Sequence, residues 1–271
     1  MKALATRLNT LVATQDKRAR RDADPVSFVH RYEDPADQEV VGLVSALLAF
    51  GNVTTIRNKV EVVLAELGPR PAKGIARRGL PNALAGFRHR VWRGEHVAAL
   101  LKHAAAIRRD HGSLAGPLER ALSDGAPFRE AVARLADELR GDHADRGLRH
   151  LVPDPRKGSA CKRLLLYLRW MCRPADGVDL GLWSVAPSHL VIPVDTHVLR
   201  IGRNLRLTER TDASWRTAEE ITASLRRFDA SDPVKYDFAI CHLGVSRDCP
   251  SRRDNDCCAR CVLQPVCRHW S

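Results

Sequence analysis

CPSRRDNDCCARCVLQPVC, residues 249–267, ends the chain in a cysteine-rich segment with the spacing C-x8-C-x2-C-x5-C. Four thiolates this close in sequence can hold one iron–sulfur cluster or one tetrahedral zinc ion. Zinc ribbons usually divide their ligands into two C-x2-C pairs with a long insert between them. Because a single C-x2-C is flanked here by one cysteine on each side, we predict a [4Fe–4S] cluster on Cys249, Cys258, Cys261 and Cys267. Cys257 could replace Cys258 as a ligand. We prefer Cys258, because it preserves the C-x2-C spacing with Cys261.

Upstream of this segment the hydrophobic pattern is helical almost throughout, and alternating strand patterns are nearly absent. QEVVGLVSALLAF, residues 38–50, is apolar nearly all round, as a buried helix should be. Residues 1–24 contain KRARRD and are expected to form a basic arm or a short helix, and residues 69–95 to be mostly loop. The fold class is therefore all-α. The predicted helices are 38–50, 54–67, 97–109, 127–139, 162–171, 196–206, 213–228 and 233–243.

The charge of the chain points to a polyanionic partner. It has 44 Lys+Arg against 32 Asp+Glu, a net charge of +12 in 271 residues. Nucleic acid is the first expectation and anionic membrane the second, although GC-rich coding also produces arginine-rich chains. No apolar run reaches the roughly 18 residues of a membrane span, and no signal peptide is recognised. We therefore expect a cytoplasmic protein without a membrane partner, in which the eight cysteines serve metal binding rather than disulfides.

Two residues carry candidate catalytic chemistry. Asp195 lies in IPVDTHVLRIGRNL, residues 192–205, at the start of a predicted helix that its carboxylate can cap. A carboxylate held there can also face a developing sugar cation. Lys162 lies in KGSACKRLLLYLRWMC, residues 157–172, at the start of an amphipathic helix. Partial desolvation would lower its pKa and make it nucleophilic, whereas the ordinary alternative is a solvated surface lysine. Lys157 is the local competitor.

These segments resemble the helix-hairpin-helix DNA glycosylase superfamily of the endonuclease III and MutY type. Residues 192–205 resemble its segment with the essential aspartate, and residues 249–267 its [4Fe–4S] loop, with a first gap of eight residues instead of six. PRKGSACKR, residues 155–163, matches the hairpin L-P-G-V-G-R-K-T-A: Gly158 keeps one glycine, Ala160 replaces the other, and Lys162 takes the position of the nucleophilic lysine. The long separation of Lys162 and Asp195 is closer to that in the archaeal 8-oxoguanine glycosylases.

From about Val26 to Cys267 the chain also resembles DUF2400, a bacterial family of unassigned function that is usually placed near these glycosylases. KGSACKRLLLYLRWM, DGVDLGLW, IPVDTHV and DPVKYDFAICHLG carry this likeness. The resemblance implies two helical lobes with a groove between them. Residues 25–172 would form the lobe with the degenerate hairpin, and residues 173–271 the lobe with the iron–sulfur loop.

The function that the resemblance implies is base-excision repair in damaged double-stranded DNA at the nucleoid. A monomeric glycosylase with AP-lyase activity would remove a damaged base, with an oxidised purine as the first candidate. Asp195 would activate Lys162 for attack on C1′. A non-catalytic nucleic-acid-binding protein on the same scaffold and an iron–sulfur redox sensor are the alternatives. Phe50 would enter the base stack, unless it is a core residue at the end of its helix. The residues expected at DNA are Gly158, Ser159, Phe50, Arg252 and Arg253.

Overall fold

The computed structural model describes residues 2–270, and helices dominate it. The prediction of an all-α protein is confirmed, because 62% of the chain is helical and 2% lies in strands. None of the helices in the described chain has both the length and the apolarity to cross a membrane. The α-helices are α1 (Lys2–Thr14), α2 (Lys17–Ala23), α3 (Pro35–Leu47), α4 (Val53–Leu67), α5 (Pro71–Gly74), α6 (Leu80–Ala83), α7 (Gly94–His111), α8 (Gly116–Ser123), α9 (Phe128–Arg140), α10 (Arg146–Leu151), α11 (Lys162–Cys172), α12 (Thr196–Asn204), α13 (Trp215–Arg226), α14 (Asp237–Val245) and α15 (Asn255–Ala259). The 3₁₀ turns are Pro25–Arg31, Pro155–Lys157, Pro187–His189, Pro233–Tyr236 and Gln264–Val266, and the strands are β1 (Arg88–His89) and β2 (Trp92–Arg93).

The N-terminal segment, expected as an arm or a short helix, forms the helices α1 and α2. Leu8 is fully buried and Leu11 nearly so, which ties α1 to the core. The hydroxyl of Tyr236 donates a hydrogen bond to Asn9 Oδ1 at 3.1 Å, and Lys17 Nζ lies 2.9 Å from a carboxylate oxygen of Asp176. The segment therefore packs against the C-terminal half of the chain, because its apolar side chains find a partner surface there.

The region 69–95, predicted to be mostly loop, contains two short helices and a β-hairpin. Pro71 and Pro81 lie in the first turns of α5 and α6, where the missing N–H of proline costs nothing. Antiparallel pairing of β1 with β2 then places Trp92 opposite His89, and Trp92 is fully buried. A two-residue strand is too short for its periodicity to be recognised in the sequence, so the hairpin depends on the burial of this tryptophan.

Helix α3 is shifted toward the N-terminus relative to the prediction of 38–50. Asp34 caps it by accepting from the amide of Ala36 at 2.9 Å, and Pro35 occupies the first turn. The helix ends at Leu47, so Phe50 lies beyond it. The Phe50 side chain is 45% exposed and is therefore not a core residue at the end of the buried helix.

Three helices form the scaffold of the C-terminal half. Helix α11 packs against α3, and α12 packs against α14. Buried Arg169 of α11 forms ion pairs with Asp179, at 3.1 Å, and with Asp237 at the start of α14. Gly244 of α14 allows the close approach of α12, because a Cβ atom there would lie 2.6 Å from the side chain of His197. This packing brings the N-terminus of α11 next to the N-terminus of α12.

Candidate functional site

The structure brings the two candidate catalytic residues together. Lys162 is the first residue of α11, and Asp195 is the N-cap of α12. The Nζ atom of Lys162 lies 3.6 Å from Oδ2 of Asp195, and their side chains are 31% and 19% exposed. A lysine and a carboxylate thus meet at a half-buried position that a ligand can reach.

The two carboxylate oxygens of Asp195 have different partners. Oδ1 accepts hydrogen bonds from the backbone amides of His197 and Val198, both at 2.9 Å, which caps the helix. Oδ2 faces Lys162 and also lies 3.8 Å from the thiol sulfur of Cys241, which donates to it. Capping therefore occupies one oxygen and leaves the other for chemistry.

Cys241 is a member of this site that sequence reasoning missed, because a cysteine in an apolar helix is usually a core thiol. It lies in α14, within DPVKYDFAICHLG. Burial raises the pKa of the Cys241 thiol well above its ordinary value, and the charge of Asp195 raises it further. The sulfur therefore keeps its proton and acts as a hydrogen-bond donor to the carboxylate.

Lys162 titrates in the opposite direction from the expectation based on its sequence. Burial disfavours the ammonium form, but the negative charge of Asp195, with smaller contributions from Asp24 and Asp237, outweighs it. The pKa of Lys162 is therefore raised above its ordinary value, so the partial desolvation considered from the sequence does not lower it. At neutral pH the lysine is an ammonium ion, and Asp195 is the base within reach of its proton.

The degenerate hairpin precedes α11 at the surface. Gly158 and Ser159 are exposed, and Gly158 has a φ of +83°, which favours glycine. Its carbonyl accepts from the amide of Trp215 at 3.0 Å, and this bond fixes the loop to α13. No side chain caps α11, so backbone N–H groups of its first turn are available beside this exposed loop. Ala160, in place of the second glycine, is buried.

The four predicted cluster ligands line one small cavity, with Asn204, Pro250 and Trp270 among its other lining residues. Cys257 is not among the residues that line it, and its amide instead donates to Asp254 at 2.8 Å. All eight cysteines are free thiols. Burial raises the pKa of Cys261 and of Cys267, and so do the charges of the other sulfur atoms in the cavity. Four cysteine thiols that line one cavity form a donor set of the kind that binds soft metal ions.

Arg200 connects this cavity to Asp195. It lies in α12, five residues after Asp195, and its guanidinium donates to Sγ of Cys249 at 3.2 Å. The same group donates to the carbonyls of Pro250, at 2.8 Å, and of Cys249, at 2.7 Å. Sequence reasoning missed Arg200, because nothing local distinguishes it from other helical arginines. One short helix therefore carries Asp195 at its start and, one turn later, a contact to Cys249, one of the predicted cluster ligands.

The remaining residues predicted at DNA lie apart from the Lys162–Asp195 pair along the chain. Arg252 and Arg253 are exposed in the cysteine-rich segment, and the guanidinium of Arg253 lies 3.8 Å above the ring of Trp270. The ring of Phe50 packs against Trp92 and His150, with both centroid distances 5.7 Å. The side chains of Phe50, Arg252 and Arg253 are all exposed at the surface.

A group of potential metal ligands that was not anticipated consists of Glu95, His96 and Asp145. His96 Nδ1 accepts from the amide of Arg93 at 2.9 Å, so in the neutral ring Nε2 carries the proton. Nε2 then donates to Asp145 at 3.0 Å, and Asp145 in turn caps α10. The contacts of this group are those of a helix cap, and the metal-binding nitrogen is already protonated.

Comparisons with known proteins give a family without an assigned activity. The model of a family described as a protein of unknown function, DUF2400, matches residues 24–246. No curated protein and no solved structure matches the chain. The matched region contains Lys162, Asp195 and Cys241 and ends before Cys249. Because it spans most of the sequence, the chain belongs to the DUF2400 family.

Proposed function

We propose that this chain is a DNA glycosylase with AP-lyase activity that removes a damaged base from double-stranded DNA. The observation that carries the proposal is the 3.6 Å approach of Lys162 Nζ to Asp195 Oδ2, between two helix N-termini that are 33 residues apart in sequence. An amine nucleophile needs an adjacent base to take its proton, and these two atoms have that relation. The resemblance to the helix-hairpin-helix glycosylases assigns the same two roles to these positions.

The proposed reaction begins with proton transfer from the ammonium of Lys162 to Asp195. The free amine attacks C1′ of the nucleotide, so an N–C1′ bond forms while the glycosidic C1′–N bond breaks. The base leaves with the bonding electrons and takes a proton from water. Ring opening then gives an imine at Lys162, and loss of a C2′ proton expels the 3′-phosphate by β-elimination. The charge of Asp195 stabilises the cationic sugar in the first step.

DNA contact is proposed at the start of α11. The uncapped first turn of α11 lies beside the exposed Gly158–Ser159 turn, and backbone N–H groups at a helix N-terminus bind phosphate well. In this proposal, residues 25–172 and 173–271 form two lobes with DNA in the groove between them. Arg252 and Arg253 add phosphate contacts from the second lobe.

The cofactor proposed for the cysteine cavity is a [4Fe–4S] cluster. A tetrahedral zinc ion, with Zn–S bonds of about 2.3 Å, needs sulfur atoms roughly 3.8 Å apart. Within residues 2–270, no three of the cysteine sulfur atoms lie within 4.8 Å of one another, so the support for a cluster comes from the C-x8-C-x2-C-x5-C spacing in the sequence and from the cavity that the four cysteines share. When bound, the cluster would cross-link the C-terminal segment, and Arg200 would tie that segment to α12. Its role here is structural, and no step of the proposed reaction passes through it.

Anaerobically purified protein should contain about four iron and four sulfide per chain, because four thiolates complete one cubane. Cys258→Ser should lose most of the iron and lower the melting temperature, because the folding free energy depends on the bound metal. Cys257→Ser is the matched control and should keep both the iron content and the melting temperature of the wild type. Metal analysis, visible absorption and thermal unfolding measure these effects. One zinc per chain, or loss of iron in Cys257→Ser alone, would contradict the assignment.

Binding to a duplex should weaken steeply with salt. About five phosphate contacts give a slope near −4.5 for log K against log[salt], a loss of roughly 500-fold between about 50 and 200 mM. Arg252→Ala with Arg253→Ala should reduce the slope by about 1 to 2. Arg134→Ala, whose charge is already paired with Asp124, should leave it unchanged. Fluorescence anisotropy measures the slopes, and a flat dependence would exclude a phosphate-binding interface.

The activity itself is tested by incubating the protein with duplexes that each carry one lesion or one abasic site. At least one damaged base should be released, and the abasic strand should be cleaved. A non-catalytic nucleic-acid-binding protein is the second candidate function. The raised pKa of Lys162 favours it, because an ion pair between Lys162 and Asp195 could be purely structural. DNA binding without base release or strand cleavage on any substrate would select this second candidate.

A further inference from the structure

Phe50 lies in a cluster that fixes the orientation of its ring. Its centroid is 5.7 Å from that of Trp92 and 5.7 Å from that of His150. Trp92 is fully buried, whereas Phe50 is 45% exposed. The ring is therefore supported on one side and open on the other. The exposed face of Phe50 is accessible to a base, whereas its other side is packed against Trp92 and His150.

Buried Arg163 adds a positive charge beneath this ring. Its guanidinium lies 4.5 Å above Trp92 and 5.8 Å from the centroid of Phe50. It donates to the backbone carbonyls of Leu47, at 2.8 Å, and of His150, at 2.5 Å. Burial lowers its pKa to about 10, and no aspartate or glutamate among residues 2–270 is within ion-pair distance of it.

Other buried arginines, unlike Arg163, form ion pairs with carboxylates. Arg169 is paired with Asp179 and Asp237, and Arg173 with Asp179 and Asp232. Leaving a buried charge without a partner is costly. The charge of Arg163 is met by backbone carbonyls and aromatic rings but by no carboxylate, and therefore favours an electron-rich or anionic ligand at the neighbouring exposed aromatic face.

The β-hairpin supplies a second cation and further unpaired polar atoms. Arg90, at the hairpin tip, is exposed, and its guanidinium lies 5.9 Å from the centroid of Phe50. Arg90 has a φ of +56°, an unusual conformation for a residue other than glycine. Two buried ring nitrogens, Nδ1 of His89 and Nε1 of Trp92, have no hydrogen-bond partner. The hairpin therefore places strained and unsatisfied groups beside the open ring.

We propose that Phe50, Arg90, Trp92 and Arg163, here named the Phe50 platform, bind one unpaired nucleotide. The base stacks on the open face of Phe50, and its acceptor oxygens or its phosphate approach the exposed guanidinium of Arg90, while buried Trp92 and Arg163 support the ring from beneath. Aromatic platforms flanked by arginines bind single nucleotides in this way. The proposal rests on the proposed function, and it gives Phe50 a stacking role in place of insertion into the duplex.

The test compares a duplex that has a single-nucleotide bulge with a fully paired duplex, by fluorescence anisotropy in the Lys162→Gln background, which prevents chemistry. The bulged duplex should bind about tenfold more tightly. Phe50→Tyr should keep this preference, and Phe50→Leu should lose it. Arg90→Ala, an exposed substitution, should reduce it. All variants should bind the paired duplex equally, and thermal unfolding verifies that each one is folded.

The same assay separates a free nucleotide from one within a strand. dGMP at millimolar concentration should compete with the bulged duplex, and deoxyribose 5-phosphate, which has no base, should not. Equal competition by the two would overturn the stacking role. Retention of the preference by Phe50→Leu would show a wedge instead, because leucine can wedge but cannot stack. If no bulge preference exists but Lys162 still forms an adduct with abasic DNA, the platform is refuted and the glycosylase proposal stands.

Discussion

Lys162→Gln should abolish the covalent adduct that borohydride traps between this protein and DNA with an abasic site. The amine of Lys162 forms the imine that borohydride reduces, and glutamine has no nucleophilic nitrogen. We expect a decrease of at least about 10³-fold, since loss of a nucleophile removes the whole covalent pathway. Denaturing gel electrophoresis of the reduced reaction measures the adduct.

Lys157→Gln is the matched control for this change. Lys157 is exposed in the turn that precedes α11, and its removal eliminates the same charge. It should keep the adduct, and both variants should bind duplex DNA within about threefold of the wild type, as expected for one weakened phosphate contact. Full trapping in Lys162→Gln together with its loss in Lys157→Gln would move the nucleophile to Lys157.

Trapping should accelerate with pH. Because the pKa of Lys162 is raised, the ammonium form dominates at neutral pH and only a small fraction is free amine. That fraction grows about tenfold for each pH unit below the pKa, so the trapping rate should rise with pH and level off above the pKa. A rate that falls as pH rises would indicate a reaction that needs the protonated lysine.

Asp195→Asn should slow base release by about 10²- to 10³-fold, the usual cost of losing one preorganised electrostatic contact to the transition state. Asparagine is as good an N-cap as aspartate, so the amide should still accept from His197 and Val198. The melting temperature should therefore change little while the rate falls. Single-turnover release from a lesion duplex and thermal unfolding measure the two effects.

Asp34→Asn is the control, because Asp34 caps α3 in the same way and lies outside the site. It should leave the rate unchanged. If Asp195→Asn releases base at the wild-type rate, the carboxylate is only a cap and the catalytic proposal fails. If Asp195→Asn is inactive but Lys162→Gln still releases base, water is the nucleophile and the enzyme is monofunctional.

Sequence periodicity and spacing were sufficient for the fold class and for most helices. Helices α4, α7, α9 and α11 begin and end within a few residues of their predictions, because each has an apolar stripe with helical periodicity. The start of α12 at Thr196 was predicted correctly, because Asp195 was recognised as a residue that can cap a helix. The hairpin and the short helices between residues 69 and 95 were missed, since pieces of two to four residues have no measurable period.

The features that could be predicted from the amino-acid pattern are therefore local: an all-α chain, a cysteine spacing suited to one metal centre, and two candidate residues at helix starts. Which distant groups meet depends on how the helices pack. Packing of α12 on α14 and the ion pairs of Arg169 place Cys241 and Lys162 at the same carboxylate oxygen. The direction of the Lys162 pKa shift and the unpaired charge of Arg163 depend on that packing too, because electrostatic interactions follow distance in space and not separation along the chain.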